Sequence, residues 1–239
     1  LARTLGVGAW RVWEILRIEG ICLARRRSWC VSQDPDFATK AASVVALYLS
    51  PPENAIVLSV DEKPSIQAIT RPSGFVAAGK KVVRGDKSTY KRNGTTTLFA
   101  ALEVVTGKVI GRANKTKTRK DFLAFMDEVV ACTATGKVLH VVLANLSTHK
   151  KCDEWLARHP NVKFHYTPTS ASWLNQVEIW FGILTRKSLK GASFASVDAL
   201  VAHIGAYLKA YNQNPVPFAW KKRKKRGTKL RNTARNPAN

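Results

Sequence analysis

Two short, nearly unbroken apolar runs constrain this chain most: Ile56-Val57-Leu58-Ser59-Val60-Asp61 and Val138-Leu139-His140-Val141-Val142-Leu143-Ala144. A strand apolar at almost every position must be covered on both faces, as a central strand between helical layers is. A second strand over 95–105, a turn at Thr106-Gly107 and a third strand over 108–114 read as a hairpin. Residues 119–132 place Phe122, Phe125, Met126, Val129 and Val130 at helical spacing. After the 138–144 strand come a helix over 147–158, a strand over 162–166, and helices over 172–189 and 196–211. A hairpin followed by alternating strands and helices predicts an α/β domain with a mixed sheet flanked by helices.

Outside that body the sequence changes character. Residues 1–21 read as two short helices around Gly6-Val7-Gly8, and with Arg25-Arg26-Arg27 behind them they suggest a helix-turn-helix-like DNA-binding segment. An ordinary helical hairpin is the alternative. A helix over 35–50 is stopped by Pro51-Pro52. Residues 71–94 read as a long basic inserted loop, functional or an interaction arm. The division is therefore 1–34 for the N-terminal segment and linker, 35–218 for the main domain, and 219–239 for a basic tail. Leu1 in place of an initiator Met points to a piece of a longer protein.

The 239 residues hold 39 Lys and Arg against 16 Asp and Glu, a net charge of +23. The tail carries nine of those basic residues and no acid, so the body itself is basic. Charge of this sign and size answers a polyanion, most commonly nucleic acid. No apolar run approaches the roughly 18–20 residues of a membrane span, and Leu1-Ala2-Arg3-Thr4 lacks a signal-peptide pattern. Cys22, Cys30, Cys132 and Cys152 show no zinc-ligand spacing and read as reduced thiols of a cytosolic protein.

With so few acids, those beside apolar runs stand out. Asp61 ends the first strand and shares a face with Val57 and Ser59. Glu178 lies on a helix among Trp173, Val177, Trp180, Phe181 and Leu184, all expected in the core, with Asn175 three residues before it on the same edge. A carboxylate among so many apolar neighbours needs a partner, a proton or a cation. Ala144, at the tip of the second buried strand, is chemically mute.

The stretches VDEKPSIQAI (60–69), YKRNGTTTLFAALEVVTGKVIG (90–111), VVLANLSTHK (141–150) and TPTSASWLNQVEIWFGILTRK (167–187) resemble the transposases of bacterial insertion sequences, specifically the insertion-sequence-630 branch of the mariner superfamily. The resemblance implies a ribonuclease-H-like fold with an Asp, Asp, Glu triad. It assigns the first Asp to Asp61 and the Glu to Glu178, and it puts Ala144 where the second Asp is expected. Either the copy has decayed or an aspartate was deliberately exchanged, and the otherwise intact motifs favour exchange.

The same resemblance implies two Mg²⁺ ions, replaceable by Mn²⁺, with Asp61 bridging both and Glu178 holding one. It implies cleavage of double-stranded element-end DNA and joining of the 3′-OH to target at TA dinucleotides. It also implies a homodimer cutting in trans, and a cytoplasmic, nucleoid-associated location in a bacterium. With Ala144 the chain is expected to bind DNA and cut it very slowly. Phosphate contacts are assigned to Lys80, Lys81, Arg84, Lys91, Arg92, Lys115, Lys117, Arg119, Lys120, Arg186 and Lys187. Asn145, His149 and Asn175 are candidates for the surroundings of the site. For Asn145 and Ser147 a helix-capping role is the stronger expectation, and for His149 a place on the polar surface. Glu62 points away from Asp61 by alternation and is left out. A domesticated, non-enzymatic DNA-binding protein and an RNA–DNA hybrid nuclease remain open alternatives.

Overall fold

The computed structural model describes residues 6, 8, 10, 11, 14, 18, 32–71, 73–78, 81–86, 89–133 and 136–219. Most of the helix-turn-helix expectation, the Arg25–Arg27 run and nearly all of the basic tail lie outside them.

Seven strands and five helices follow α1 (Phe37–Leu49), β1 (Ala55–Thr70), β2 (Ser73–Ala78), β3 (Lys81–Asp86), β4 (Lys91–Glu103), β5 (Val109–Asn114), α2 (Arg119–Cys132), β6 (Val138–Leu143), α3 (Asp153–Arg158), β7 (Val162–Tyr166), α4 (Val177–Leu184) and α5 (Val197–Gln213) among the described residues. Five strands form one sheet in the order β5-β4-β1-β6-β7. The β5–β4–β1 side is antiparallel, and the β1–β6–β7 side is parallel. This is the mixed sheet that the order of strands and helices predicts, in the ribonuclease-H-like form the resemblance implies.

Both faces of β1 are buried, as its apolar run requires. Leu58 and Val60 pack with Leu139, Val141 and Leu143 against Phe122, Phe125, Met126 and Val129 of α2 and Trp155 of α3. On the other face Val57 and Val142 meet Val44 and Leu47 of α1, while Leu98, Ala100 and Leu102 of β4 meet Trp180, Phe181 and Leu184 of α4 and Leu200 and Ile204 of α5. Helix α2 begins with a capping box: Thr118 accepts the Asp121 N–H, and the Asp121 carboxylate accepts the Thr118 N–H.

Several expected boundaries move. β1 does not end at Asp61 but runs to Thr70, because the ladder with β4 shifts register between Lys63 and Ile66. Pro64 and Ser65, whose φ is 55°, occupy that irregularity, where a missing N–H breaks no ladder bond. Asp61 is therefore mid-strand. The 71–94 loop holds an antiparallel ribbon, β2 with β3, whose Ala78↔Lys81 closing pair leaves a two-residue connection. The expected helix over 147–158 is a 3₁₀ turn (Ser147–His149) and a separate short α3. The expected helix over 172–189 is a 3₁₀ turn (Ser172–Leu174), then α4, then a π turn (Thr185–Leu189). Trp173 is 61% exposed and not core, whereas Trp180 and Phe181 are buried as expected. No helix among the described residues is long and apolar enough to cross a membrane.

Candidate active site

Strands β1 and β6 run parallel, and their last paired residues are Val60 and Leu143. One step further along each strand stand Asp61 and Ala144. In-register neighbours on parallel strands point to the same face and lie roughly 5 Å apart. Asp61 is buried, and so is the Ala144 methyl.

Ser59 and Asn175 fix the start of α4, the helix that carries Glu178, to this part of β1. The Ser59 hydroxyl donates to the Asn175 side-chain oxygen and accepts the Val177 N–H at 2.9 Å, which seats the start of α4 on β1. The Asn175 amide nitrogen donates to the Val60 carbonyl at 2.9 Å and to Asp61 Oδ2 at 3.1 Å. Every hydrogen-bonding position used on this fully buried amide points at β1, so its orientation is set. Asn175 ends the turn before the helix, and the Glu178 N–H bonds back to its carbonyl at 3.2 Å. Replacing Asn175 with Ala removes the acceptor of the Ser59 hydroxyl proton and a donor to the Val60 carbonyl and to Asp61. We expect a loss of about 2 kcal/mol of stability, read as a lower urea midpoint; an unchanged midpoint would show that the amide does not hold α4 to β1.

The electrostatics are those of an unneutralised acidic pocket. Burial pushes the Asp61 carboxyl up to about 7; the charges of Glu62 and Glu178 add to this, while the Glu62 N–H and His149 oppose it. Glu178 as a whole is exposed, yet the protein around its carboxyl raises it through desolvation, with Glu62 adding and Lys63 opposing. Glu178 is thus near enough for its charge to act on Asp61.

Asp61 accepts one N–H at each oxygen, from Glu62 at 2.9 Å and from Asn175, which leaves lone pairs free. Carboxylate oxygens of this kind suit a hard divalent cation. Among the described residues no group of three or more His, Cys, Asp or Glu side chains could hold a metal ion. Asp61 and Glu178 fit one side of such a site, and position 144 supplies only a methyl.

The remaining candidates separate clearly. Asn145 does not cap a helix; it donates to the Thr169 hydroxyl at 3.1 Å, beside Asp34, which accepts the Thr169 N–H at 3.0 Å and pairs with Lys40 at 2.9 Å. The Ser147–His149 turn has no side-chain cap, and the Ser147 carbonyl instead accepts from Arg119 at 3.2 Å. His149 is not on the polar surface but fully buried, with its ring against Phe122.

Sequence reasoning passed over Glu62. It is buried beside Asp61, with His149 Nε2 at 3.2 Å and Lys117 at 3.8 Å, and its charge acts on both Asp61 and Glu178. Burial opposes its charge, yet the His149 hydrogen bond and the His149 and Lys117 charges outweigh this and hold Glu62 below the usual range. Burial likewise opposes a charged His149, but Glu62 and the Ala144 carbonyl raise its pKa. A Glu one residue after an Asp in a buried run was the available signal. Ser59 was a second, being the one polar residue inside the apolar run.

Lys115, Lys117, Arg119 and Lys120 are exposed along the approach to α2, Lys91 and Arg92 at the start of β4, and Arg186 and Lys187 in the π turn. Lys81 and Arg84 lie on β3, and Lys80 lies outside the described residues.

Comparison with known proteins agrees with this fold. The chain matches solved Mos1 structures across most of its length. With the Mos1 transposase paired-end complex with left transposon end, the TM-score is 0.61 at 13% identity, covering 90% of this chain and 68% of that one. With the Mos1 mariner paired-end complex with Mn the TM-score is 0.59 at 13% identity, covering 89% and 68%, and with the Mos1 strand transfer complex it is 0.58 at 13%, covering 89% and 67%. At these identities the likeness is one of fold. No curated protein matches the sequence. Residues 56–201, more than half of the chain and the whole span from β1 to α4, match the family described as DDE superfamily endonuclease. This chain belongs to that family.

Proposed function

We propose that this chain is the catalytic part of a transposase of the insertion-sequence-630 and mariner kind, and that Ala144 leaves it able to bind DNA but impaired in cutting it. The observation that supports this reading is the β1–β6 register, in which Asp61 and position 144 follow the last pair, with Asn175, at the start of the α4 region, bonded to Asp61 and the Glu178 charge acting on it. The substrate is double-stranded element-end DNA, followed by target DNA at TA steps. A second copy of the chain is the partner, with each copy cutting in trans, and the setting is the nucleoid of a bacterial cytoplasm.

Divalent cations, Mg²⁺ or Mn²⁺, held by Asp61 and Glu178 would stabilise the charge that builds on the attacking and leaving oxygens of an in-line displacement at phosphorus. The chain's own residues prepare for this. Asn175 and the Glu62 N–H aim the Asp61 carboxylate, the seat of α4 on Ser59 presents Glu178, and Lys63 lies near enough to temper the Glu178 charge. The exposed basic residues hold the phosphate backbone on either side and carry no sequence information. A non-enzymatic DNA-binding role is favoured by Ala144 alone, and restoring a carboxylate there separates the two readings.

Binding itself is testable in the present chain. The affinity for an element-end duplex should fall steeply with salt, and replacing Lys115 and Lys120 together with Ala should lower the slope of log K against log salt by about 1.8. A slope unchanged by the double substitution would move the DNA path away from the α2 approach.

A further inference from the structure

The His149 ring is wholly buried although it belongs to a three-residue turn at the end of β6. Nδ1 lies 2.9 Å from the Ala144 carbonyl oxygen, and Nε2 lies 3.2 Å from Glu62 Oε2. The same Ala144 carbonyl accepts the Leu146 N–H at 2.8 Å. It is therefore held from two directions, which fixes the peptide plane after Ala144 and limits where a side chain at that position can point. The ring stacks at a tilt on Phe122 with 4.5 Å between centroids, and the His149 carbonyl accepts the Tyr166 hydroxyl at 2.7 Å. Strands β1, β6 and β7 and helix α2 all meet at this one residue.

Glu62 completes the connection to Asp61. Its N–H donates to Asp61 Oδ1 at 2.9 Å, while its carboxylate meets His149 Nε2 at 3.2 Å. An unbroken line of bonded groups thus runs from Asn175 through Asp61, Glu62 and His149 to the backbone of residue 144. Burying a carboxylate and an imidazole under a central strand costs desolvation that an apolar pair would avoid. Directional bonds give what apolar packing does not: a defined distance and angle between two strand positions. Outer hydrogen bonds of this kind orient metal ligands in general, and losing one typically weakens metal affinity about 10–100-fold.

We propose that Glu62 and His149 are positioning residues that lock the backbone of residue 144 in register with Asp61, so that a carboxylate carried at 144 faces the same cation as Asp61. The inference rests on the reading of position 144 given above, and it assigns work to His149 and to the Glu62 side chain, neither of which that reading uses. It predicts coupling: His149 matters far more to cation binding when position 144 carries a ligand to aim.

The test is a double-mutant cycle in Mn²⁺ affinity, measured by titration calorimetry on the full chain, with melting temperatures alongside. Ala144→Asp should tighten Mn²⁺ binding. His149→Ala added to it should weaken binding about tenfold, and His149→Ala alone should weaken the affinity of the present chain far less, through the lost charge beside Asp61 only. In the Ala144→Asp background Glu62→Leu should reproduce the loss, and Glu62→Gln, which keeps an acceptor for Nε2, should recover most of it. This arm also decides the matter if His149→Ala fails to fold. Equal weakening in both backgrounds, no weakening in either, or a Glu62→Gln loss as large as that of Glu62→Leu would overturn the proposal while leaving the role of position 144 intact. If Ala144→Asp does not tighten Mn²⁺ binding at all, the reading of position 144 fails, and the proposal fails with it.

Discussion

Replacing Ala144 with Asp should raise Mg²⁺-dependent nicking of an element-end duplex by about two to three orders of magnitude, the scale on which one preorganised charge-stabilising group acts in a transition state. The reason is local. Position 144 follows Leu143, whose partner is Val60, so a carboxylate there stands beside Asp61 on the neighbouring strand. Its carbonyl is already bonded by Leu146 and His149, so the substitution needs no rearrangement of the backbone. Ala144→Asn is the control: similar in shape, uncharged, and expected to give little gain. Nicking that stays at the level of the present chain, with duplex binding unchanged, would remove position 144 from the chemistry and favour a DNA-binding role without catalysis.

The second large effect concerns pH and cations. In the folded chain the Asp61 carboxyl is raised from 3.8 to about 7, chiefly by burial, so between those values the folded state binds more protons than the unfolded one. Stability from this source is therefore fully present below about 4 and is lost as pH rises through about 7. A shift of that size corresponds to a few kcal/mol. Glu178 is shifted in the same direction and adds to the trend. His149, also raised, contributes stability that disappears as pH climbs past its folded value, whereas the lowered Glu62 matters only in acid, where its contribution is lost.

With a chelator present, the melting temperature should drop by roughly 5–10 °C between pH 5 and pH 8. Millimolar Mn²⁺ should recover part of the drop at pH 8 and do little at pH 5, where protons already neutralise the pocket. A melting temperature that is flat across this range, or a cation effect equal at both pH values, would show that Asp61 is not held as an uncompensated acid.

Much of this architecture was legible in the residues themselves, and the reasons differ by element. The apolar runs of β1 and β6 announced a covered central sheet because no other arrangement hides residues on both faces. The 95–114 hairpin followed from its turn at Thr106-Gly107, where Gly107 adopts a φ of 75°. The extension of β1 past Asp61 was hidden by Pro64, which reads as a terminator unless a register shift absorbs it. Trp173 looked like core by helical spacing, but the helix starts only at Val177, so that spacing did not apply to it.

At the site, Asp61 and Glu178 could be singled out because acids are scarce in so basic a chain. The roles of Ser59, Glu62 and His149 could not, since each depends on a bond across more than 80 positions of sequence, Ser59 to Asn175 and Glu62 to His149. Alternation set Glu62 apart from the site, yet its charge acts on both Asp61 and Glu178.

The most direct measurement is a crystal structure of the Ala144→Asp chain bound to an element-end duplex with Mn²⁺, in which anomalous scattering locates the metal. The account predicts a peak about 2.0–2.3 Å from carboxylate oxygens of Asp61 and of residue 144, with the Glu178 carboxylate and a phosphate of the duplex on the same cluster. A duplex lying elsewhere on the surface, with no anomalous peak between β1 and β6, would contradict it.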